Sequence, residues 1–224
     1  MIIILSGALN KEIISADEYL AICAAQELKE KYNIDYELIR FNQYRVKNCL
    51  GCGVCMKGLP CPATNHPDDE LRDLIEKCYK CKGFIMNSPT AYPGGLFYNM
   101  THLWNRFRLI FEKEHAACWG VDVTDISENP FKDKPMVTIV TYHEQGAGKT
   151  MVDLSGRYEL AFKFVTIGTI GIKVKKGKLS EPSSYVSVDD IESAKALGIR
   201  LGEILTSDVC SDLVPIICGE DMVY

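Results

Sequence analysis

Met1-Ile2-Ile3-Ile4-Leu5-Ser6-Gly7 decides the fold. Four consecutive apolar residues, three of them β-branched, form a strand with no polar side to offer water. A strand of that kind is buried on both faces, as in a parallel sheet covered by helices on either side. The run breaks at Ser6-Gly7, far short of the roughly 20 apolar residues that span a bilayer.

The same pattern recurs outward from this strand. Apolar segments at 35–41, 83–87, 135–142 and 164–170 read as four further strands, with 172–178 either extending the last or forming a short extra strand. Helical periodicity fills the gaps. Leu20, Cys23, Ala24 and Leu28 share a face over 15–32. Leu71, Leu74, Ile75 and Cys78 follow a cap at Asp68 or Asp69. Leu96, Met100, Leu103, Trp104, Phe107, Ile110 and Phe111 form a third stripe. A helix to about residue 160 follows the fourth strand. The last helix, 188–205, turns Leu197, Leu201, Ile204 and Leu205 inward. Five strands alternating with helices predict a doubly wound parallel α/β sheet in the flavodoxin-like order 2-1-3-4-5. Residues 1–206 read as one unit and 207–224 as a tail without period.

The chain has 224 residues, 47% of them hydrophobic, and a net charge of −5. Its basic residues are scattered, which argues against a nucleic-acid partner. No membrane segment and no signal peptide are legible, so a cytoplasmic location is expected. Ten cysteines in that setting point to metal or redox chemistry and not to disulfides.

Four of the ten stand together in a loop at 44–67, inserted after the second strand. Cys49, Cys52, Cys55 and Cys61 are spaced C-x2-C-x2-C-x5-C, with Gly51, Gly53 and Gly58 between them. Short spacers make three sulfurs converge, and the glycines let the backbone wrap closely. Four thiolates so placed are the ligand set of a [4Fe–4S] cluster. A structural zinc, and plain thiols or disulfides, are the alternatives. Cys78-Tyr79-Lys80-Cys81 is a second pair, too far along the chain to complete a zinc ribbon with the first. Cys78 reads as a core thiol, and Cys118, Cys210 and Cys218 as buried or idle ones.

Ligands of such a sheet bind beyond the carboxyl ends of its strands. Three loops should meet there. Ser6, Ala8 and Asn10 lead into a helix start near Ser15, which suits a phosphate. Ser88, Pro89, Thr90, Tyr92, Gly94 and Gly95 form a loop whose backbone can lie against a flat ring. Tyr142, His143 and Gly146 follow the fourth strand, with His143 a potential proton donor. Together the three suggest a site for flavin mononucleotide (FMN). Gly146-Ala147-Gly148-Lys149-Thr150 ends like a nucleotide-triphosphate loop, but His143 stands where that motif needs its first glycine.

The cysteine motif and the Ser88-Pro89-Thr90 loop with Tyr92 resemble the iron–sulfur flavoproteins of the NAD(P)H-dependent FMN reductase, flavodoxin-like superfamily. The resemblance covers about 1–205. It implies FMN, a [4Fe–4S] cluster on Cys49, Cys52, Cys55 and Cys61, and a homodimer or homotetramer in which cluster and flavin lie close. Arg106 falls near that family's Asp-Arg pair, with Asn105 in the aspartate position. Ala91 is a one-residue insertion in the flavin loop, and 6–15 lacks the family's Gly-Ser-x-Arg phosphate pattern. The expected function is electron transfer between a ferredoxin-like carrier and a soluble acceptor. The alternatives are an NAD(P)H-dependent flavin or quinone reductase with a structural metal, and a non-enzymatic redox or metal sensor.

Overall fold

A computed structural model describes residues 1–8, 10–54, 61–63, 66–90, 106, 131–143, 147–162, 164–175, 177–178 and 180–207. The third expected helix, apart from Arg106, lies outside the described residues, as do Cys55, Tyr92, Gly94, Gly95, Gly146, Cys118 and the tail beyond residue 207.

Five strands carry the fold: β1 (Ile2–Ser6), β2 (Tyr36–Arg40), β3 (Phe84–Pro89), β4 (Pro135–Tyr142) and β5 (Val165–Lys173). They hydrogen-bond in the order β2-β1-β3-β4-β5, and every pairing is parallel. The helices are α1 (Ala16–Tyr32), α2 (Leu71–Tyr79), α3 (Ala147–Phe162) and α4 (Val188–Thr206), with short 3-10 turns at Phe41–Gln43 and Pro182–Tyr185. β5 runs three residues past the expected Ile170, because Thr141 and Tyr142 continue to pair with Ile172 and Lys173.

The period of two along β1 builds both layers. Ile3 and Leu5 join Phe84, Met86, Met136 and Val140 beneath α2 and α3. Ile2 and Ile4 join Ile85, Val137 and Ile139 beneath α1 and α4. All of these are essentially inaccessible to water. α1 and α4 touch through Gly198 and Gly202, where a Cβ would run into the Ala24 carbonyl and the Tyr32 ring. α1 stops at Asn33, whose left-handed backbone (φ 54°) lets its N–H donate to the Lys29 carbonyl.

The N-cap of α2 is Glu70, one residue past the expected Asp68 or Asp69; Asp69 Oδ1 accepts from Leu71 N–H at 3.2 Å. Among the described residues no helix is long and apolar enough to cross a membrane.

Candidate functional site

The carboxyl edge of the sheet holds a buried polar network. Ser6, at the end of β1, donates to Glu18 Oε1 at 2.7 Å. It accepts from Ala8 N–H at 3.1 Å and from Asn87 Nδ2 at 3.1 Å. Asn87 uses its second amide hydrogen on Asp17 Oδ2, at 2.6 Å. Arg40 clamps Glu18 from β2, with Nε on Oε1 at 2.7 Å and Nη2 on Oε2 at 3.0 Å. Glu18 is fully buried, and that fork is its charge partner.

Asp17 differs from its neighbour. It is 1% exposed, and among the described residues no cation pairs with it. Burial raises its carboxyl pKa; hydrogen bonds with Ser15 and Asn87 work against the rise, and the adjacent Glu18 charge adds to it.

A cleft of about 270 Å3 opens beside this network. Ile13, Ile14, Pro89, Val174 and Tyr185 give it apolar walls. Asn10, Ser15, Asp17, Thr141 and His143 supply the polar ones. Of the expected flavin residues, it therefore gathers Asn10, Ser15, Pro89 and His143. Ser6 and Ala8 lie beneath it as parts of the network, and Tyr142 is half-buried. Asn10 is occupied in its own turn, accepting from Glu12 and Ile13 N–H. Ser88 donates to the Pro89 carbonyl. The Thr90 hydroxyl oxygen is buried with no hydrogen-bond partner among the described residues. An unpartnered buried hydroxyl at a strand's carboxyl end calls for a polar ligand atom. The first-turn N–H groups of α1, which no helix can satisfy internally, border the same space. Apolar walls and a polar rim of Asn10, Ser15 and Thr141 at the start of α1 and the end of β4 fit a flavin and its phosphate.

The cysteine loop leaves the same edge. Asn42 Nδ2 donates to the Ala8 carbonyl at 2.8 Å, and Arg40 Nη1 to the Lys11 carbonyl at 2.7 Å, so β2's exit is tied to the β1–α1 loop. Cys49 and Cys52 are exposed reduced thiols, and Cys61 is half-buried. Gly51 (φ 64°) and Gly53 (φ 66°) adopt the left-handed backbone that turns the chain sharply on either side of Cys52.

The base of that loop is stitched shut. Arg45 N–H donates to Glu70 Oε2 at 2.7 Å, and Glu70 N–H returns to the Arg45 carbonyl at 2.9 Å. Lys47 N–H donates to Asp69 Oδ2 at 2.7 Å. Arg106 is 1% exposed and bonds the Lys47 carbonyl at 2.6 Å as well as both Asp69 oxygens. Among the described residues no three ligating side chains converge, so Cys49, Cys52 and Cys61 are not brought together as a metal site, and Cys55 lies outside the described residues.

Cys78 and Cys81 belong elsewhere. Both sit in the core, where burial pushes the Cys78 thiol far up and that of Cys81 to about 11. Such thiols are inert. The expected core role of Cys78 holds, and Cys81 shares it.

A family model described as NADPH-dependent FMN reductase matches residues 1–177. The chain belongs to that family. Membership in the NADPH-dependent FMN reductase family makes it a flavin-dependent oxidoreductase. FMN is the flavin that the family supports. An iron–sulfur flavoprotein of Archaeoglobus fulgidus is 24% identical over 188 residues, 83% of this chain and 87% of that one. Flavone reductase superposes with a TM-score of 0.61 at 16% identity, over 91% of this chain and 62% of its own, so this chain spans less than two thirds of it. RosB, with bound 8-demethyl-8-formylriboflavin-5'-phosphate, superposes with a TM-score of 0.61 at 12% identity, over 100% and 94%. At these identities the structures show a shared fold.

The sequence reading missed Asp17, Glu18, Arg40 and Asn87. Adjacent acids opening a helix read as ordinary first-turn charges. Only the packing of β1 against β2 and β3 shows that they are buried.

Proposed function

We propose that this family member exchanges electrons between a ferredoxin-like donor and a soluble acceptor, holding FMN in the carboxyl-edge cleft and a [4Fe–4S] cluster on Cys49, Cys52, Cys55 and Cys61. The carrying observation is the placement of cysteine loop and cleft on one sheet edge, joined through Arg40 and Asn42 to the β1–α1 loop. Together the two groups convert between single electrons and pairs. The first turn of α1 presents N–H groups to the phosphate, and Thr90 offers its free hydroxyl. Pro89 and the Ile13-Ile14 pair exclude water from the cleft. The bonds from Arg45 and Lys47 to Glu70 and Asp69 tie the two ends of the cysteine loop together. A homodimer or homotetramer would bring the exposed loop of one subunit to the flavin of another.

Anaerobic purification followed by flavin, iron and sulfide analysis tests this reading. It predicts about one FMN and about four iron and four sulfide per chain. Zinc in place of iron, or no flavin, would contradict it.

The family description favours a second reading, in which NADPH supplies the electrons and the metal is structural. Rapid anaerobic bleaching of the flavin by NADPH in a zinc-loaded protein would select it.

A further inference from the structure

Two acidic side chains open α1, the helix whose first turn faces the cleft. Glu18 is neutralised by the Arg40 fork. Asp17 has no such partner among the described residues. Among the described residues, the side chain that reaches it from another element is the amide of Asn87, at 2.6 Å. Asn87 is itself pinned, since its other amide hydrogen goes to Ser6 and its carbonyl oxygen is buried without a partner. Asp17 also lines the cleft. A buried carboxylate there would sit beside the flavin phosphate, charge against charge, with little water between to screen them.

We propose that Asp17 is a specificity-determining residue that couples proton uptake to phosphate binding: the cleft takes the phosphate of FMN with Asp17 neutral, so each FMN bound brings a proton onto this carboxyl. The proposal rests on the reading of the cleft as the flavin site. Riboflavin, which lacks the phosphate, draws no such proton. Burial raises the Asp17 pKa in the free protein and an arriving phosphate raises it further, so a proton is drawn in wherever the free protein holds Asp17 ionised.

The groups facing Asp17 are few. Ser15 and Glu18 come from its own turn, Ser6 from β1 through Asn87, and Asn87 from β3. Across the cleft stand Thr141 and His143 after β4, and Tyr185 from the second 3-10 turn. Arg40, from β2, is committed to Glu18. His143 is the imidazole lining the same cleft, and His143→Gln serves as its control.

The test is equilibrium binding of FMN and of riboflavin to the deflavinated full chain, followed by flavin fluorescence across pH. For the wild type and for H143Q, the FMN dissociation constant should rise with pH, approaching about tenfold per unit, which is one linked proton. For Asp17→Asn it should stay level or fall, because a phosphate gains charge near a pKa of about 6. Riboflavin should show no slope in any variant. Equal FMN slopes in the wild type and D17N would overturn the proposal while leaving the flavin site standing. Failure of both flavins to bind would instead overturn the flavin reading, and this inference with it. Should D17N not fold, calorimetry of the wild type in buffers of different ionisation enthalpy decides the question. Uptake of about one proton per FMN and none per riboflavin supports the proposal; equal uptake for both overturns it.

Discussion

Arg106 and Asp69 form a buried two-pronged ion pair beneath the cysteine loop, with Nη1 3.1 Å from Oδ2 and Nη2 3.2 Å from Oδ1. The same carboxylate accepts from Lys47 N–H on one side and from Leu71 N–H, at the start of α2, on the other. The same guanidinium holds the Lys47 carbonyl. One pair thus fixes both the entry and the exit of the loop that carries Cys49.

Removing Arg106 would strand the Asp69 charge in the interior. Arg106→Ala should therefore cost about 3–5 kcal/mol of stability. Arg106→Lys should recover little, since an ammonium cannot span two carboxylate oxygens and a carbonyl as a fork does. Urea denaturation checks the size. Metal retention by whatever folded protein remains shows whether the loop has opened.

The fork of Arg40 on Glu18 makes a second prediction. Glu18→Gln leaves the largely buried guanidinium without its charge partner and should cost about 3 kcal/mol. Ser6 and the Lys11 carbonyl would lose their registration as well, so FMN affinity should fall along with the melting temperature. Unchanged flavin binding in a destabilised E18Q would separate the network from the cleft.

The fold was legible in the chain because it is written in local patterns. The doubly apolar β1, the uninterrupted Pro135–Tyr142 and the helical stripes each carry their own period. The cysteine frame was legible because Gly51 and Gly53 stand where sharp turns are needed. The polar half of the site was not. Ser6, Asp17, Glu18, Arg40 and Asn87 come from four separate elements, and nothing in the spacing of Asp17 or Asn87 announces that they meet. The Arg106–Asp69 pair escaped for the same reason: 37 residues separate its members.

Asp17 makes stability depend on pH with a definite sign. Its folded pKa lies above the ordinary 3.8, so the unfolded chain gives up the proton first. Stability contributed by this group is full below 3.8 and declines as pH rises through the folded value. Asp17→Asn removes that decline. Thermal melts should show the variant gaining on the wild type with rising pH, and no gain in acid.

The cysteines divide into two classes by reactivity. In metal-free native protein, Cys49 and Cys52 should react with a thiol reagent at once. Cys78 and Cys81 should react only after denaturation; at pH 8 a thiol with a pKa of about 11 is roughly one part in a thousand thiolate. Mass mapping of the labelled sites gives the answer.

Close helix packing adds a structural test. At Gly198 a Cβ would meet the Ala24 carbonyl, a backbone atom that cannot swing aside. Gly198→Ala should push α4 off α1 and cost about 1–3 kcal/mol, despite the better helix propensity of alanine.

The central claim is that thiols and flavin act as one redox pair. Anaerobic stopped-flow reduction of the FMN-loaded protein by a reduced ferredoxin-type carrier tests it most directly, comparing the wild type with Cys52→Ser. The wild type should bleach its flavin rapidly. The variant, with flavin bound and still reducible by dithionite, should bleach far more slowly. Equal rates in the two proteins would contradict the account.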